Sequence, residues 1–266
     1  MKDYVLELAS QREGYNARLN IMREYLQAYI LKTMHEEGIF RSAAFLGGTA
    51  LRFLYGLQRF SEDLDFSAAE KLPVPFAGLV KKIISELKAA GYDVSAVYNE
   101  EKTVNSAFVK FSGLMFEAGI SPLKSQKFSV KIEIDTNPPE GAVFQTQIAN
   151  KYFPISFLSY DLSSLFAGKV HALLSRKYAK GRDYFDLGWY LSKWKGIEPN
   201  FNMLTNALKQ TKWSGEFPDR GNWKGFVHKV IERTDWQKIR RDTEQFLENP
   251  SDLGIFTKEN VLGLLK

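Results

Sequence analysis

Phe45–Ser67 reads FLGGTALRFLYGLQRFSEDLDFS, and this stretch decides the fold. The apolar segment Ala43–Leu46 predicts a short strand that runs into a Gly-Gly-Thr turn, and the apolar residues after the turn repeat at helical spacing. Leu64–Phe66 predicts a second strand, on which Asp63 and Asp65 share one face because alternate side chains of a strand point the same way. The stretch therefore predicts a strand, a glycine turn, a helix and an acidic strand.

The turn Gly47-Gly48-Thr49 is suited to binding a phosphate. Glycine lets backbone amides approach an anion closely, and the free N–H groups at the start of a helix opened by Thr49 attract negative charge. The Thr49 hydroxyl is a further donor. Asp63 and Asp65 can hold Mg²⁺ together with substrate phosphates. Either motif alone is usually a plain turn or loop, but their joint presence across one helix indicates half of an active site.

A third acid is expected from the segment KIEID at residues 131–135. Its alternation predicts a strand with Ile132 and Ile134 facing a core, so Glu133 and Asp135 share the other face. Asp135 is the best candidate for a third metal ligand beside the acidic strand, and Glu133 is the alternative.

The rest of the chain divides into two parts. Helical spacing predicts helices over residues 16–36 and 76–90, and β-rich segments predict strands over residues 92–98, 106–111 and 128–134. After a short strand near Phe157, helices are predicted over residues 162–178, 183–194, 202–210, 223–232 and 236–247. The predicted fold class is α/β (α+β): a mixed β-sheet core with flanking helices in residues 1–157, and a helical region in residues 158–266 that contributes to the active-site cleft.

Composition narrows the chemistry further. The chain has no cysteine and three histidines, which excludes thiolate zinc sites and cysteine nucleophiles and leaves carboxylates as metal ligands. Carboxylates favour a hard cation, Mg²⁺ or Mn²⁺. No apolar run is long enough to span a membrane, and the N-terminus does not resemble a signal peptide, so a soluble cytoplasmic protein without a membrane partner is expected.

The segment from Lys209 to Arg241 has nine Lys/Arg against four Asp/Glu, with five Trp and Phe residues between them. Exposed aromatic rings and cations together would form a surface for nucleic acid. The alternative, which base rates favour, is that the aromatic rings belong to a core and the cations to a solvated helix face.

Three motifs in order resemble one family: GGTALRFLYGLQRFSEDLDFS, KIEID at 131–135, and GKVHALLSRKYAKGRDYFDL at 168–187. They are similar to motifs of the AbiEii-type toxins, nucleotidyltransferases of the DNA polymerase beta superfold from bacterial abortive-infection and toxin-antitoxin systems. The resemblance covers roughly residues 40–190. It implies a nucleotidyltransferase core, an NTP substrate, a divalent cation and a possible cognate antitoxin.

The residue patterns and the resemblance together give the predicted site residues, of which Gly47, Arg59, Ser61 and Asp135 rest on the patterns and the others on the resemblance. The metal ligands and catalytic acids would be Asp63, Asp65 and Asp135, joined in catalysis by Lys169 and Asp186. Nucleotide-binding residues would be Gly47, Gly48, Thr49, Arg59, Ser61, Lys169, Arg176 and Asp183. Lys169 and Arg176 are seven residues apart, which is two helical turns and hence one helix face. Without the resemblance, the helical cations could equally be a solvated edge, Asp183 a helix cap, and Arg59 a structural partner of Glu62 or Asp63.

The sequence and the resemblance thus favour transfer of NMP from an NTP to an acceptor, in the first place a tRNA 3′ end or another RNA. Two alternatives remain at this point. The acceptor could be a protein hydroxyl or a small molecule, or the chain could be a module that binds nucleotide or RNA without catalysis. Three acids brought together argue against a pure binding module, because uncompensated charges are costly.

Overall fold

The computed structural model describes residues 1–266, which form twelve helices and seven strands. The helices are α1 (Lys2–Ser10), α2 (Tyr15–Glu36), α3 (Gly47–Tyr55), α4 (Phe76–Ala89), α5 (Leu114–Glu117), α6 (Leu162–Ser175), α7 (Gly181–Lys193), α8 (Phe201–Gln210), α9 (Trp223–Arg233), α10 (Trp236–Glu244), α11 (Asp252–Ile255) and α12 (Lys258–Leu264). The strands are β1 (Ala43–Leu46), β2 (Asp63–Ala68), β3 (Val94–Asn99), β4 (Val104–Phe111), β5 (Phe128–Asp135), β6 (Phe144–Asn150) and β7 (Pro154–Tyr160). The predicted α/β fold class is confirmed.

The strands form one mixed sheet in the order β3-β4-β5-β2-β1-β7-β6. β1 and β2 are antiparallel, whereas β2 and β5 run parallel, so the acidic strand lies at the centre of the sheet beside the KIEID strand. One face of the sheet is apolar and contributes to a core with α2 and α4, as Phe45, Leu64 and Ile132 show. The opposite face is polar along β2 and β5.

The chain folds into two compact units. The first comprises Met1–Gly56, Phe60–Asn137 and Gln145–Ser159, and it contains the central strands of the sheet. The second comprises Leu57–Arg59, Pro138–Phe144 and Tyr160–Lys266.

A buried ion pair fixes α3 within the first unit. Arg52 on α3 pairs with Glu24 on α2, and both side chains are 3% exposed. The Arg52 guanidinium also stacks on Phe60, 4.1 Å from the ring centre. Removing one partner of such a pair leaves a buried charge and typically costs ~3–5 kcal/mol. The helix that follows the glycine turn is thereby held in place against α2.

The second unit is built on aromatic packing. Phe166 on α6 stacks on Tyr190 of α7 at 4.4 Å between ring centres and meets Trp223 of α9 edge-on at 5.5 Å. Trp223 is 1% exposed, and the Trp236 ring lies against Phe256. Of the five aromatic rings in the segment from Lys209 to Arg241, the Trp223 ring therefore belongs to the core, and the other four are half-buried.

Several predicted boundaries were wrong by a turn or less, and three differences matter more. The charged N-terminus forms α1, whose Val5 and Ala9 are buried, although no helix was predicted there. Two strands, β6 and β7, replace the single short strand expected near Phe157. The helix predicted to Tyr178 ends at Ser175, so Arg176 lies beyond the end of α6 in extended conformation.

Candidate active site

The glycine turn and the acidic strand lie directly against each other. β1 ends at Leu46, which pairs with Asp65 of β2, and Gly47 follows with φ of 79°. A side chain at Gly47 would run into the Asp65 carboxylate. Only glycine therefore allows both the left-handed turn and the close approach of the backbone to this acid.

Helix α3 begins at Gly47 rather than at Thr49, so the whole Gly47-Gly48-Thr49 motif forms its first turn. No side chain caps this end of the helix. Thr49 is fully buried, and its hydroxyl donates a hydrogen bond to the backbone carbonyl of Asp63. This bond ties the start of α3 to the start of β2, a positioning contact that the sequence did not predict.

Asp63 and Asp65 lie on one face of β2, as predicted. Both are half-buried, while Leu64 and Phe66, on the other face, are 0% and 2% exposed in the core. Ser61 precedes the strand and is almost buried, and its carbonyl accepts a hydrogen bond from Gln27. The apolar half of the strand therefore fixes the direction in which the two acids point.

The parallel pairing of β2 with β5 shows how far each candidate for the third acid lies from Asp65. Asp63 pairs with Lys131, Asp65 with Glu133, and Ser67 with Asp135. Glu133 is thus the immediate neighbour of Asp65, but its carboxylate forms an ion pair of 2.8 Å with Lys131.

Asp135 lies two residues further along β5, where its carboxylate accepts a hydrogen bond from the backbone N–H of Asn137. No three side chains of Asp, Glu, His or Cys are grouped closely enough to hold an ion by themselves. The role of Asp135 as a third metal ligand stays a prediction.

A second group of predicted residues converges within the second unit, around Asp186. Arg59 forms two hydrogen bonds of 2.6 Å to the two Asp186 carboxylate oxygens. Lys169 on α6 lies 2.6 Å from Asp186 Oδ2 and 3.5 Å from Asp183 Oδ1. Sequence reasoning missed Asp186 as the partner of Arg59, since a separation of 127 residues leaves no local signal.

Asp186 is fully buried, and its surroundings decide its charge. Burial by itself raises the pKa of Asp186, but the charges of Arg59 and Lys169 and their hydrogen bonds outweigh burial, so its pKa lies below the ordinary value. The group stays ionised and cannot exchange a proton readily near neutral pH. Its geometry is suited to holding two cations in place, and the catalytic role of Asp186 stays a prediction.

Asp183 and Asp186 occur three residues apart on α7, as the Arg-Asp-x-x-Asp spacing predicted, and Asp183 is a first-turn acid rather than a cap. Arg176 forms an ion pair with Asp183 although it lies off the helix. The Arg176 side chain is 42% exposed, in contrast to the buried Arg59. A cavity of about 270 Å³ opens beside this pair, and its charged lining residues are Arg176, Lys177, Lys180, Asp183 and Arg233.

None of the helices is both long and apolar enough to cross a lipid bilayer. No curated protein matches the chain significantly. Among solved structures, a candidate nucleotidyltransferase from H. pylori aligns with a TM-score of 0.51 and 18% identity, covering 92% of this chain and 91% of that chain. The JHP933 protein from Helicobacter pylori aligns at TM-score 0.49 and 18% identity, over 91% and 87% of the two chains. The first alignment supports the fold.

A family profile gives the assignment. The profile described as "Nucleotidyl transferase AbiEii toxin, Type IV TA system" matches residues 29–256, which include the glycine turn, the acidic strand and the helical cations. The motifs that suggested this family lie inside the matched region. The chain therefore belongs to the AbiEii family of nucleotidyltransferase toxins of type IV toxin-antitoxin systems.

Proposed function

We propose that this nucleotidyltransferase transfers NMP from an NTP to the 3′ end of an RNA, a tRNA in the first place, with Mg²⁺ or Mn²⁺ as cofactor. The observation that supports the proposal is the close approach of the Gly47 backbone to the Asp65 carboxylate, which leaves no room for a Cβ at position 47, so that a turn suited to phosphate lies against a pair of acids. Membership of a toxin-antitoxin family implies a nucleotide substrate and an antitoxin partner. The cognate antitoxin would oppose toxicity in the cytoplasm.

The residues present fit a divalent cation. Asp63 and Asp65 offer carboxylate oxygens on one face of β2, and Mg²⁺ is commonly bound by one or two carboxylates together with substrate phosphates. Bound there, the cation would stabilise the charge that develops at the α-phosphate and on the leaving oxygen. Asp135 or Glu133 would support the site from β5.

The chain's own residues would bind and orient the nucleotide. The first-turn amides of Gly47, Gly48 and Thr49 would hold phosphate oxygens, since the helix N-terminus attracts anions. Lys169 and Arg176 would supply positive charge to the triphosphate, with Arg59 and Asp186 fixing Lys169 and with Asp183 fixing Arg176. Ser61 would hold the loop that leads into β2 in place, through the hydrogen bond that its carbonyl accepts from Gln27.

The reaction is a displacement at phosphorus. The acceptor hydroxyl oxygen attacks the α-phosphorus, the new O–P bond forms, and the bond from the α-phosphorus to the pyrophosphate oxygen breaks. Pyrophosphate leaves with the electron pair, and the hydroxyl proton passes to a carboxylate of the acidic face. The chain needs no covalent intermediate, because orientation and charge stabilisation suffice.

The experiment is incubation of the protein with each NTP labelled at the α-phosphate, Mg²⁺ and total RNA, followed by sizing of the labelled products. Label is expected in tRNA-sized RNA, and NTP labelled at the γ-phosphate should leave the RNA unlabelled. Parallel reactions with cell protein and with aminoglycosides test the other acceptors. Label found only in protein or drug would refute the RNA acceptor.

A further inference from the structure

The polar face of the sheet continues beyond the acids, away from the glycine turn. In the row of paired residues that starts at Asp63, the next positions are Lys131 on β5, Phe108 on β4 and Val97 on β3. Lys110 lies on the same face, paired with Ser129. We call Lys131, Phe108, Val97 and Lys110 the outer platform.

The outer platform is apolar and basic where a solvated sheet face would be polar. Phe108 is 41% exposed and Val97 is 59% exposed, although both belong to regular strands. The Lys131 ammonium lies 5.5 Å from the centre of the Phe108 ring, within the range of a cation–π contact. An exposed ring beside cations is the combination that binds single-stranded nucleic acid by stacking and by charge.

The order of the strands indicates which of the two substrates would bind on the outer platform. The phosphate-binding turn follows β1, on one side of the acids of β2, and the outer platform lies on the other side, across β5, β4 and β3. In an in-line displacement the attacking oxygen enters opposite the leaving pyrophosphate. If the nucleotide's phosphates occupy the turn, the acceptor must approach from the β5 side.

We infer that the outer platform binds the single-stranded 3′ end of the RNA acceptor, with a base stacked on Phe108 and phosphates near Lys131 and Lys110. The inference rests on the proposed function and adds the place where the acceptor binds. The row from Asp63 to Phe108 makes the platform continuous with the acids, so a bound 3′ end would present its hydroxyl toward them.

The chain offers a closely matched control for Phe108. Phe116 is 40% exposed in the same unit and has the Lys124 ammonium 5.0 Å from its ring centre, but it lies on α5, outside the sheet. Phe108→Ala and Phe116→Ala thus each remove a ring of similar exposure that lies beside a lysine ammonium. Phe108→Trp keeps a stacking surface at the platform.

The test measures the dissociation constants of two fluorescent RNA hairpins, one with a single-stranded 3′ overhang and one with a blunt end, for the wild type and these variants. Phe108→Ala should bind the overhang about tenfold more weakly, within the range of about fivefold to about 150-fold that the stacking of one base contributes. Phe108→Trp and Phe116→Ala should stay within about twofold of the wild type. Lys110→Gln should weaken binding and lower its salt dependence.

An unchanged overhang affinity in Phe108→Ala would overturn the platform, and so would an equal loss in Phe116→Ala or on the blunt hairpin. NMP transfer to RNA, measured on the same proteins, separates this inference from the proposed function. Transfer by the wild type without any effect of Phe108 refutes the platform alone. Overhang binding that depends on Phe108 without any transfer to RNA refutes the proposed function alone.

Discussion

The acids of β2 and the acid Asp186 of α7 lie in opposite surroundings. Asp63 and Asp65 are half-buried on a sheet face beside a glycine turn, whereas Asp186 is fully buried and bound to Arg59 and Lys169. Part of each β2 acid remains accessible to a ligand, but Asp186 is enclosed by the protein's own cations. The β2 acids are therefore suited to binding a cation or substrate, whereas Asp186 is suited to holding Arg59 and Lys169 in position.

The comparison also explains why a carboxylate cannot be assigned a role from its motif alone. Asp63, Asp65 and Asp186 all stand in Asp-rich motifs of the family, and all were predicted to be catalytic. Asp186 differs from the other two in its complete burial and its two cationic partners, a setting suited to positioning other residues. Substitutions at the two groups should therefore affect different properties.

The largest effect is expected for Asp63→Asn. Losing this charge should reduce NMP transfer by on the order of a thousandfold, equivalent to ~4 kcal/mol of transition-state stabilisation. The free energy of unfolding should change by less than ~1 kcal/mol, because the side chain is half-exposed. Asp93→Asn, at an exposed position of the same unit, is the control for initial rates. Similar rates for both variants would contradict the assignment.

Asp186→Asn should show the reverse pattern, with its main effect on stability. Removing the charge leaves the buried Arg59 and the partly buried Lys169 without their common partner, so the free energy of unfolding should fall by ~3 kcal/mol. Urea unfolding monitored by tryptophan fluorescence measures the change. A loss no larger than that of Asp63→Asn would show that the network contributes little to folding.

The same group predicts a pH dependence. The folded pKa of Asp186 lies below the ordinary value of 3.8, so its stabilising contribution is present above that value and is lost as the pH falls through the folded pKa. The unfolding free energy of the wild type should fall in this acid range, and Asp186→Asn should fall less steeply. Parallel pH profiles for the two proteins would contradict the lowered pKa.

The effect of Gly47→Ala, in the turn, is compared with that of Gly91→Ala, at a glycine outside the site. Gly47 and Gly91 both have positive φ, at 79° and 91°, but a side chain at Gly91 meets open space whereas one at Gly47 meets Asp65. Alanine at Gly91 should cost ~1 kcal/mol of stability because of its φ alone, and alanine at Gly47 should cost more because it also meets Asp65. Only Gly47→Ala should also lower NMP transfer, by about tenfold or more, because Asp65 must move. Equal activity of the two variants would show that the close approach is dispensable.

The smallest effect is expected for Arg176→Ala. This side chain is 42% exposed, so its loss should leave the unfolding free energy almost unchanged. The KM for NTP should rise by about tenfold, in line with the loss of one charged contact to a phosphate. Arg220→Ala, at a more exposed position of the same unit, is the control. A normal KM in Arg176→Ala would remove this residue from the nucleotide site.

Local patterns accounted for most of the fold and for the acidic face. Alternation along residues 63–68 and 128–135 placed Asp63, Asp65 and Asp135 on polar faces, because burial of every second side chain leaves a period of two. The order of the strands could not be predicted. Strand order depends on pairing between distant segments of the chain. The sequence therefore did not predict that Glu133 is the neighbour of Asp65.

The partners of buried charges were equally out of reach. Nothing around Arg59 pointed to Asp186, and neither a proline nor a glycine marks the end of α6 before Arg176. Family motifs named these residues, but only the structure distinguishes the buried Arg59 from the accessible Arg176.

The most direct test of the central claim, that Asp63 and Asp65 hold the cation on which nucleotidyl transfer depends, is Mn²⁺ binding followed by electron paramagnetic resonance with a non-hydrolysable NTP present. The wild type and Asp93→Asn should bind Mn²⁺ equally. The double variant Asp63→Asn, Asp65→Asn should bind it at least ~tenfold more weakly, since it lacks both carboxylates. Equal Mn²⁺ affinity in the double variant and the wild type would contradict the account.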